Sequence, residues 1–314
     1  MRVSGISLDP VKNSLFEKVG AHLNLKNDLR IDIRDKDLLK ESVKKISPDI
    51  VIHFAAQPLV RKSYLNPRET IETNVMGTFN LLESIGQIDT VKACLVITTD
   101  KVYKNINQKK GYLENDALGG EDPYSASKAM ADIVTQSYLK SFKFPPTAIA
   151  RAGNVIGGGD VSENRLIPDL LRGFASNQVV DIRYPQAVRP WQHVLDCLNG
   201  YKCLLDEVLK NKIGGEWNFG PDESSFKTVE EVAKEMINLW GDNANWKTVD
   251  DSELPEAELL ALDATKAQKN LNWRNKLNFH ETLKWTVQWQ KEVNLGKDPY
   301  EVTLSQIRQF QEIE

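Results

Sequence analysis

Residues that hold metals or disulfides are scarce in this sequence. Among its 314 residues there are three cysteines, Cys94, Cys197 and Cys203, and four histidines, His22, His53, His193 and His280. The cysteines are scattered and odd in number, with no zinc spacing and no even disulfide framework, which leaves small core residues in a reducing compartment as their reading. The histidines form no HExxH pattern, so no catalytic metal is expected. No apolar run approaches the ~20 residues of a membrane span, and no charged-then-apolar leader is present, so no membrane association and a cytoplasmic protein are expected. A positive surplus is also missing: 40 Lys and Arg against 44 Asp and Glu give a net charge of -4. That balance argues against nucleic acid or an anionic membrane as partner. A small phosphate-bearing substrate stays open, because a few well-placed arginines can hold it.

What is present is alternation. Strands are expected at 2–8, 29–33, 50–54, 93–97 and 147–152. Helices are expected at 37–46, from Pro67 through Asn74 to Ile85, and from Tyr124 to about Phe142. This is the pattern of an α/β fold, a doubly wound parallel sheet with helices on both faces. Beyond residue 155 the elements shorten and loops rich in glycine and proline separate them, with helices expected at 167–176, 193–209, 228–240, 264–271 and 279–293. Residues 1–155 are therefore read as the dinucleotide-type domain. Residues 156–314 are read as mainly a smaller mixed substrate lobe, some of whose segments return to the sheet. The polar tail after Gly296 is expected to be loosely held.

The chemistry concentrates between Val96 and Lys128. Thr98-Thr99-Asp100-Lys101 follows an apolar strand, at the carboxyl end where open parallel sheets place their ligands. Tyr124 and Lys128 stand four residues apart on one helical face, where an ammonium can lower a phenol's pKa towards the working pH. Asp100 could instead cap a turn, Lys101 could be a solvated charge, and tyrosine and lysine meet by chance on many helices. Asn154 could be a loop asparagine with positive φ. Gly157-Gly158-Gly159 follows a late strand and opens no helix, and is read as a flexible wall of the substrate cleft.

Taken together, these features resemble the extended short-chain dehydrogenase/reductase family of nucleotide-sugar enzymes. Val51-Ile52-His53-Phe54-Ala55-Ala56-Gln57-Pro58-Leu59-Val60-Arg61, Thr98-Thr99-Asp100-Lys101 and Arg151-Ala152-Gly153-Asn154-Val155-Ile156-Gly157-Gly158-Gly159-Asp160 are similar to its branch of 4,6-dehydratases acting on CDP-glucose. Arg189-Pro190-Trp191-Gln192-His193-Val194 and Trp217-Asn218-Phe219-Gly220-Pro221 are similar to it as well. The resemblance runs from about Gly5 to about Trp289. It implies NAD as cofactor, a Rossmann-like sheet, and conversion of CDP-glucose to its 4-keto-6-deoxy product for bacterial surface polysaccharide. It further implies that Tyr124 takes the 4-hydroxyl proton, Lys128 assists it, Thr99 bonds the 4-oxygen and Asp100 protonates the departing 6-hydroxyl. Lys101 stands where related dehydratases carry glutamate, and it marks the CDP-sugar branch. The implied NAD contacts are Asp32, Ile33, Phe54, Ala55, Ala56, Gln57, Asn74, Thr98, Tyr124 and Lys128. Arg165 and Arg189 are implied as pyrophosphate clamps, Asn154 as a contact to phosphate or sugar, and His193 as substrate wall or cap. A homodimer or homotetramer is implied, formed through the helices after Pro67 and from Tyr124. Two rivals stand beside this reading: an epimerase or dehydratase for another nucleotide sugar, and an inactive nucleotide-sugar binder.

One expected feature has no counterpart. No Gly-x-x-Gly-x-x-Gly turn occurs, and residues 1–8 match what is normally the second strand of the sheet. Loss of the central first strand would separate the 3-2 pair from the 4-5-6 strands and leave two backbone ladders unpaired. The expectation is a chain that folds poorly and binds NAD weakly, or one read from too late a start codon.

Overall fold

The computed structural model describes residues 2–108, 110–241, 244–249 and 259–314. In chain order the first half forms β1 (Ser4–Ser7), α1 (Leu15–Lys18), β2 (Asn27–Arg30), α2 (Lys36–Ile46), β3 (Ile50–His53), α3 (Val60–Leu65) and α4 (Pro67–Ile71). A π-helical turn, Glu72–Met76, runs into α5 (Gly77–Ile85), followed by β4 (Ala93–Thr99), α6 (Pro123–Ser141) and β5 (Thr147–Ala152). The second half forms β6 (Val155–Ile156), α7 (Leu166–Ala175), β7 (Val180–Ile182), β8 (Val188–Pro190), β9 (Gln192–His193), α8 (Val194–Asn211) and β10 (Gly215–Phe219). It ends with β11 (Phe226–Thr228), α9 (Val229–Trp240), β12 (Trp246–Thr248), α10 (Thr265–Leu271), α11 (Phe279–Asn294) and α12 (Pro299–Glu312).

The main sheet has the order β10-β5-β4-β3, and every pairing in it is parallel. Its central strands are apolar along nearly their whole length because helices cover both faces. Leu95, Ala148, Ala150 and Trp217 share one core with Leu204 of α8 and Trp273. Cys94, Val96 and Val51 join the opposite core with Leu39, Val43 and Leu82. Cys94 and Cys197 are buried and Cys203 is half-buried, and all three are unpaired. β10 comes from the second half of the chain and extends the sheet beyond β5.

β1 and β2 form a separate parallel pair, in register from Ser4 opposite Asn27 to Ser7 opposite Arg30. Among the described residues no ladder joins this pair to β3. Packing attaches it instead. Ile6 and Ile33 enter the apolar cluster that holds Val51. Gly77 lies so close to Ile33 that an added Cβ would stand 2.4 Å from its side chain. Asn80 Nδ2 donates to the Ile33 carbonyl at 3.0 Å.

Several boundaries differ from the sequence expectations. The second strand spans Asn27–Arg30 rather than 29–33, because its register is set by Ser4–Ser7. α3 was not anticipated: only six residues lie between the Pro58-Leu59 turn and Asn66-Pro67, too few for a periodic signal. The polar tail is not loose. Asp298 and Pro299 open α12, Val302 and Phe310 are buried, and Gln306 Nε2 donates to the Trp285 carbonyl at 2.8 Å. Gly157–Gly159 do not form a flexible cleft wall either. A Cβ on Gly158 would stand 2.1 Å from the Trp289 ring, and one on Gly157 2.6 Å from Val194, so the glycines permit close packing of α8 and α11 behind the cleft.

Candidate active site

The carboxyl end of β4 carries Thr98 and Thr99, and Asp100–Val102 follows as a single tight turn. Thr99 Oγ1 donates to Asp100 Oδ1 at 2.8 Å. The other carboxyl oxygen, Oδ2, is buried and has no hydrogen-bond partner in the structure. Gly153, just after β5, lets the chain pass this carboxyl group: a Cβ there would meet Asp100 Oδ2 at 2.0 Å. Burial raises the Asp100 pKa, while Lys101, Thr99 and Arg189 oppose the rise. A desolvated carboxyl group with a free oxygen is suited to carry a proton and give it away.

Tyr124 is the second residue of α6. Asp122 caps this helix by accepting from Ser125 N at 2.9 Å, and Pro123 takes the first helical position, where its missing N–H is no loss. The Tyr124 amide donates to Ser63 Oγ of α3 at 3.1 Å, which fixes the start of α6 against the cleft rim. The expected influence of Lys128 on Tyr124 is not what the structure has. Burial pushes the phenol up to about 12, with Asp100 and Asp122 adding to the rise and with Thr99 hydrogen bonding and Arg165 opposing it. Lys128 Nζ donates to the Ile97 carbonyl at 2.8 Å. Its own pKa falls to about 8 through burial, against the pull of Asp132.

A cleft of about 980 Å³ brings Thr98, Thr99, Asp100, Lys101 and Tyr124 together with Asn154, Arg165 and Arg189. Asn154 adopts φ 49°, as expected of a loop asparagine, and lines the cleft. Arg165 stands at the start of α7 and reaches across to the Pro58 carbonyl at 3.3 Å. Arg189 is buried on β8, and its Nη1 donates to the Val188 carbonyl at 2.8 Å. His193 is not among the residues lining this cleft. Its Nδ1 accepts from Leu195 N at 3.2 Å, so it caps α8, and its ring stands edge-on to Trp285. The capping role therefore replaces the substrate wall.

The residues expected on the cofactor side divide into two groups. Phe54 is 53% exposed at the end of β3, and Ala55 and Ala56 are half-buried beside it. Gln57 and Asn74 are buried, and their polar atoms are engaged with protein. Gln57 N donates to Asn74 Oδ1 at 2.7 Å, Asn74 Nδ2 donates to Gln57 O at 3.0 Å and to Ser127 Oγ at 2.8 Å, and Gln57 Nε2 donates to Thr70 Oγ1 at 2.9 Å. They brace the loop after β3 against α6 instead of offering free donors. Asp32 holds Arg34, with Oδ1 accepting from its backbone N–H at 2.9 Å, and Ile33 is buried under Gly77. Thr98 Oγ1 donates to Asp132 Oδ2 at 3.1 Å.

Sequence reading missed Gly153, Asp132 and the environment of Arg151. The available signal was an arginine inside the otherwise apolar strand Thr147–Ala152, which demands a buried partner.

Two buried histidines set an acid limit. Burial holds the His53 imidazole at about 3 and the His193 imidazole at about 4, well below the usual 6.5. Both stay neutral in the fold while the unfolded chain protonates near 6.5, so stability is present above that value and is lost as pH falls below it. The urea midpoint is expected to be lower at about pH 5.5 than at about pH 7.5, and His53→Asn should flatten that slope. Equal midpoints at the two pH values would remove the histidine account.

Comparison with known proteins gives a consistent set of similarities. A family model described as GDP-mannose 4,6 dehydratase matches residues 11–286. The chain is 44% identical to a CDP-glucose 4,6-dehydratase of Salmonella typhimurium, over 94% of this chain and 85% of that protein. Among solved structures, a dTDP-glucose 4,6-dehydratase from Streptomyces venezuelae with NAD bound aligns with a TM-score of 0.77 at 26% identity, covering 90% of this chain and 85% of that one. A UDP-glucose 4-epimerase from Stenotrophomonas maltophila aligns with a TM-score of 0.82 at 19% identity, over 94% and 92% of the two chains, and shares the fold.

Proposed function

Since this chain belongs to the GDP-mannose 4,6 dehydratase family, we propose that it converts CDP-glucose to CDP-4-keto-6-deoxyglucose through resident NAD, supplying sugars for surface polysaccharide. The observation that carries this reading is the Asp100 carboxyl group, buried and with one oxygen unpartnered, facing the cleft beside Thr99 and Tyr124.

The residues present fit NAD along one wall. Ile52 and Phe54 expose apolar surface at the end of β3, 44% and 53% respectively, which a flat ring system would cover. Lys128 uses one of its three N–H donors on the Ile97 carbonyl, so its other donors remain for a ribose. The sequence has no glycine-rich phosphate turn, so NAD is to be supplied in excess in every assay. NAD, when bound, supplies the hydride acceptor and donor of an internal oxidation and reduction.

Around it the protein's own groups manage protons. Tyr124, once its own phenol proton has left to solvent, accepts the 4-hydroxyl proton, Thr99 holds the 4-oxygen, and Asp100 gives its proton to the departing 6-oxygen while the carbon-5 proton passes to a base in the cleft. The raised Asp100 pKa favours the protonated form that this step needs. Lys101 lines the cleft beside Asp100 and marks the CDP-sugar branch. Arg165 and Arg189 enter the cleft where guanidinium forks can grip a diphosphate. Met76 beside α5 and Met130 and Ile133 on α6 are exposed, and we assign them to a homodimer interface formed by these helices.

Incubation with NAD and, separately, CDP-, dTDP- and UDP-glucose tests the reading. A 4-keto-6-deoxy product is expected from CDP-glucose alone. Turnover of only dTDP- or UDP-glucose supports the related enzyme for another nucleotide sugar. Binding of CDP-glucose with no response to NAD supports the inactive binder.

A further inference from the structure

A second polar centre lies behind the reacting groups, and the chemistry above makes no use of it. Arg151 on β5 and Asp132 on α6 are both fully buried. The guanidinium lies bidentate on the carboxylate, with Nε to Oδ2 at 2.8 Å and Nη2 to Oδ1 at 2.8 Å. Thr98 Oγ1 at 3.1 Å and Gln136 Nε2 at 2.8 Å complete the carboxylate shell. Arg151 Nη1 donates to the Tyr103 hydroxyl at 2.8 Å and to the Glu114 carbonyl at 2.9 Å. The pair thus ties α6 to β4 through Thr98, to β5 through Arg151 itself, and to the turn after β4 through Tyr103. Those are the elements that carry Lys128, Thr99, Asp100 and Gly153.

Helical spacing gives the arrangement its direction. Tyr124, Lys128 and Asp132 follow one another at intervals of four on α6, so they share a face. A slide or roll of that helix against the sheet would move the phenol and the ammonium together relative to Thr99 and Asp100. Stability alone is a poor reason to keep a buried ion pair, since well-packed apolar residues of similar volume often serve as well or better.

We propose that Asp132 and Arg151 are positioning residues for the dehydratase reaction, locking α6 in register on the carboxyl ends of β4 and β5. This rests on the functional reading above. Lys128 is the group through which the lock is read. It is faced by Asp132 from its own helix, by His53 from β3, by the Ile97 carbonyl from β4, and by Arg151 behind Asp132 from β5. Asp132 favours the ammonium form and burial disfavours it. Removing the carboxylate charge therefore moves the Lys128 titration to lower pH.

The test uses the full chain with NAD in excess, comparing wild type with Asp132→Asn, Arg151→Lys and the paired apolar replacement Asp132→Leu/Arg151→Met. Asp132→Asn and Arg151→Lys should lose roughly tenfold to a hundredfold in kcat for CDP-glucose, with KM changed by less than about twofold. In the paired variant the urea midpoint should return towards wild type while kcat stays low. Lysine NMR of the free protein should show the Lys128 titration at lower pH in Asp132→Asn whether or not any substrate turns over. A folded Asp132→Asn with wild-type kcat and an unmoved Lys128 titration overturns the proposal, as does recovery of kcat along with stability in the paired variant. A wild-type chain that turns over no nucleotide sugar counts against the functional reading instead, and leaves the Lys128 titration as the readout of the lock.

Discussion

Tyr124→Phe is expected to lower kcat for CDP-glucose by about 10²–10⁴-fold, the range for losing a positioned general base. The substitution keeps the ring, its packing and the capped start of α6, and removes only the hydroxyl that meets Thr99 at the end of β4. Burial pushes this phenol up to about 12, so a standing phenolate is not the resting state. The phenol must therefore release its own proton to solvent before or as it takes the one that the substrate oxygen gives up, with Thr99 holding that oxygen. Loss of the phenol therefore strikes the transition state far more than the bound substrate, and CDP-glucose affinity measured by calorimetry should change little. A Phe variant retaining more than about a tenth of wild-type kcat would assign the base to another group.

Asp100→Asn should produce a loss of similar size, about 10²–10⁴-fold, with a different signature. Asparagine accepts the Thr99 hydrogen bond in the same shape but has no acidic proton to give the 6-oxygen. Oxidation at carbon 4 does not need that proton, so a transient nicotinamide absorbance should persist in Asp100→Asn and vanish in Tyr124→Phe. Gly153→Ala offers a control through geometry, because its Cβ would fall 2.0 Å from Asp100 Oδ2 and must displace the carboxyl group. It should reproduce the Asp100→Asn signature and in addition cost about 1–3 kcal/mol of stability from overpacking. Normal product formation by Asp100→Asn would place the acid elsewhere in the cleft.

The part of this site readable from sequence is the part whose local chemistry and spacing agree. The unbroken apolar run from Ala93 to Ile97 makes β4 unmistakable, Asp122-Pro123 marks the start of α6, and the four-residue interval fixes Tyr124 and Lys128 on one face. Thr99 and Asp100 follow because the carboxyl ends of parallel strands are where the polypeptide can present such groups. What could not be read depends on tertiary contact. The glycines at 157–159 make room for Trp289 and Val194, residues far away in the chain, and the sequence offered only their flexibility. His193 carries the same side chain whether it caps a helix or lines a cleft. α12 buries just Val302 and Phe310 in one polar turn after another, too sparse a stripe to separate from a loose tail. The ionisation of Tyr124 differs from expectation for a related reason, since spacing puts Lys128 on the same helical face but says nothing of the burial that raises the phenol.

The place of β10 has a consequence for how the molecule is made. β5 pairs with β4 on one side and with β10 on the other, yet β10 ends at Phe219, some 67 residues after β5 ends at Ala152. At about 5–20 residues per second a ribosome needs roughly 3–13 s to supply that stretch. Throughout this interval the nascent sheet presents β5 as an open apolar edge, with Ala148 and Ala150 waiting for Gly215 and Trp217. Synthesis in the cell thus passes through a species with a sticky strand edge, for which chaperone cover on the growing chain is the natural remedy.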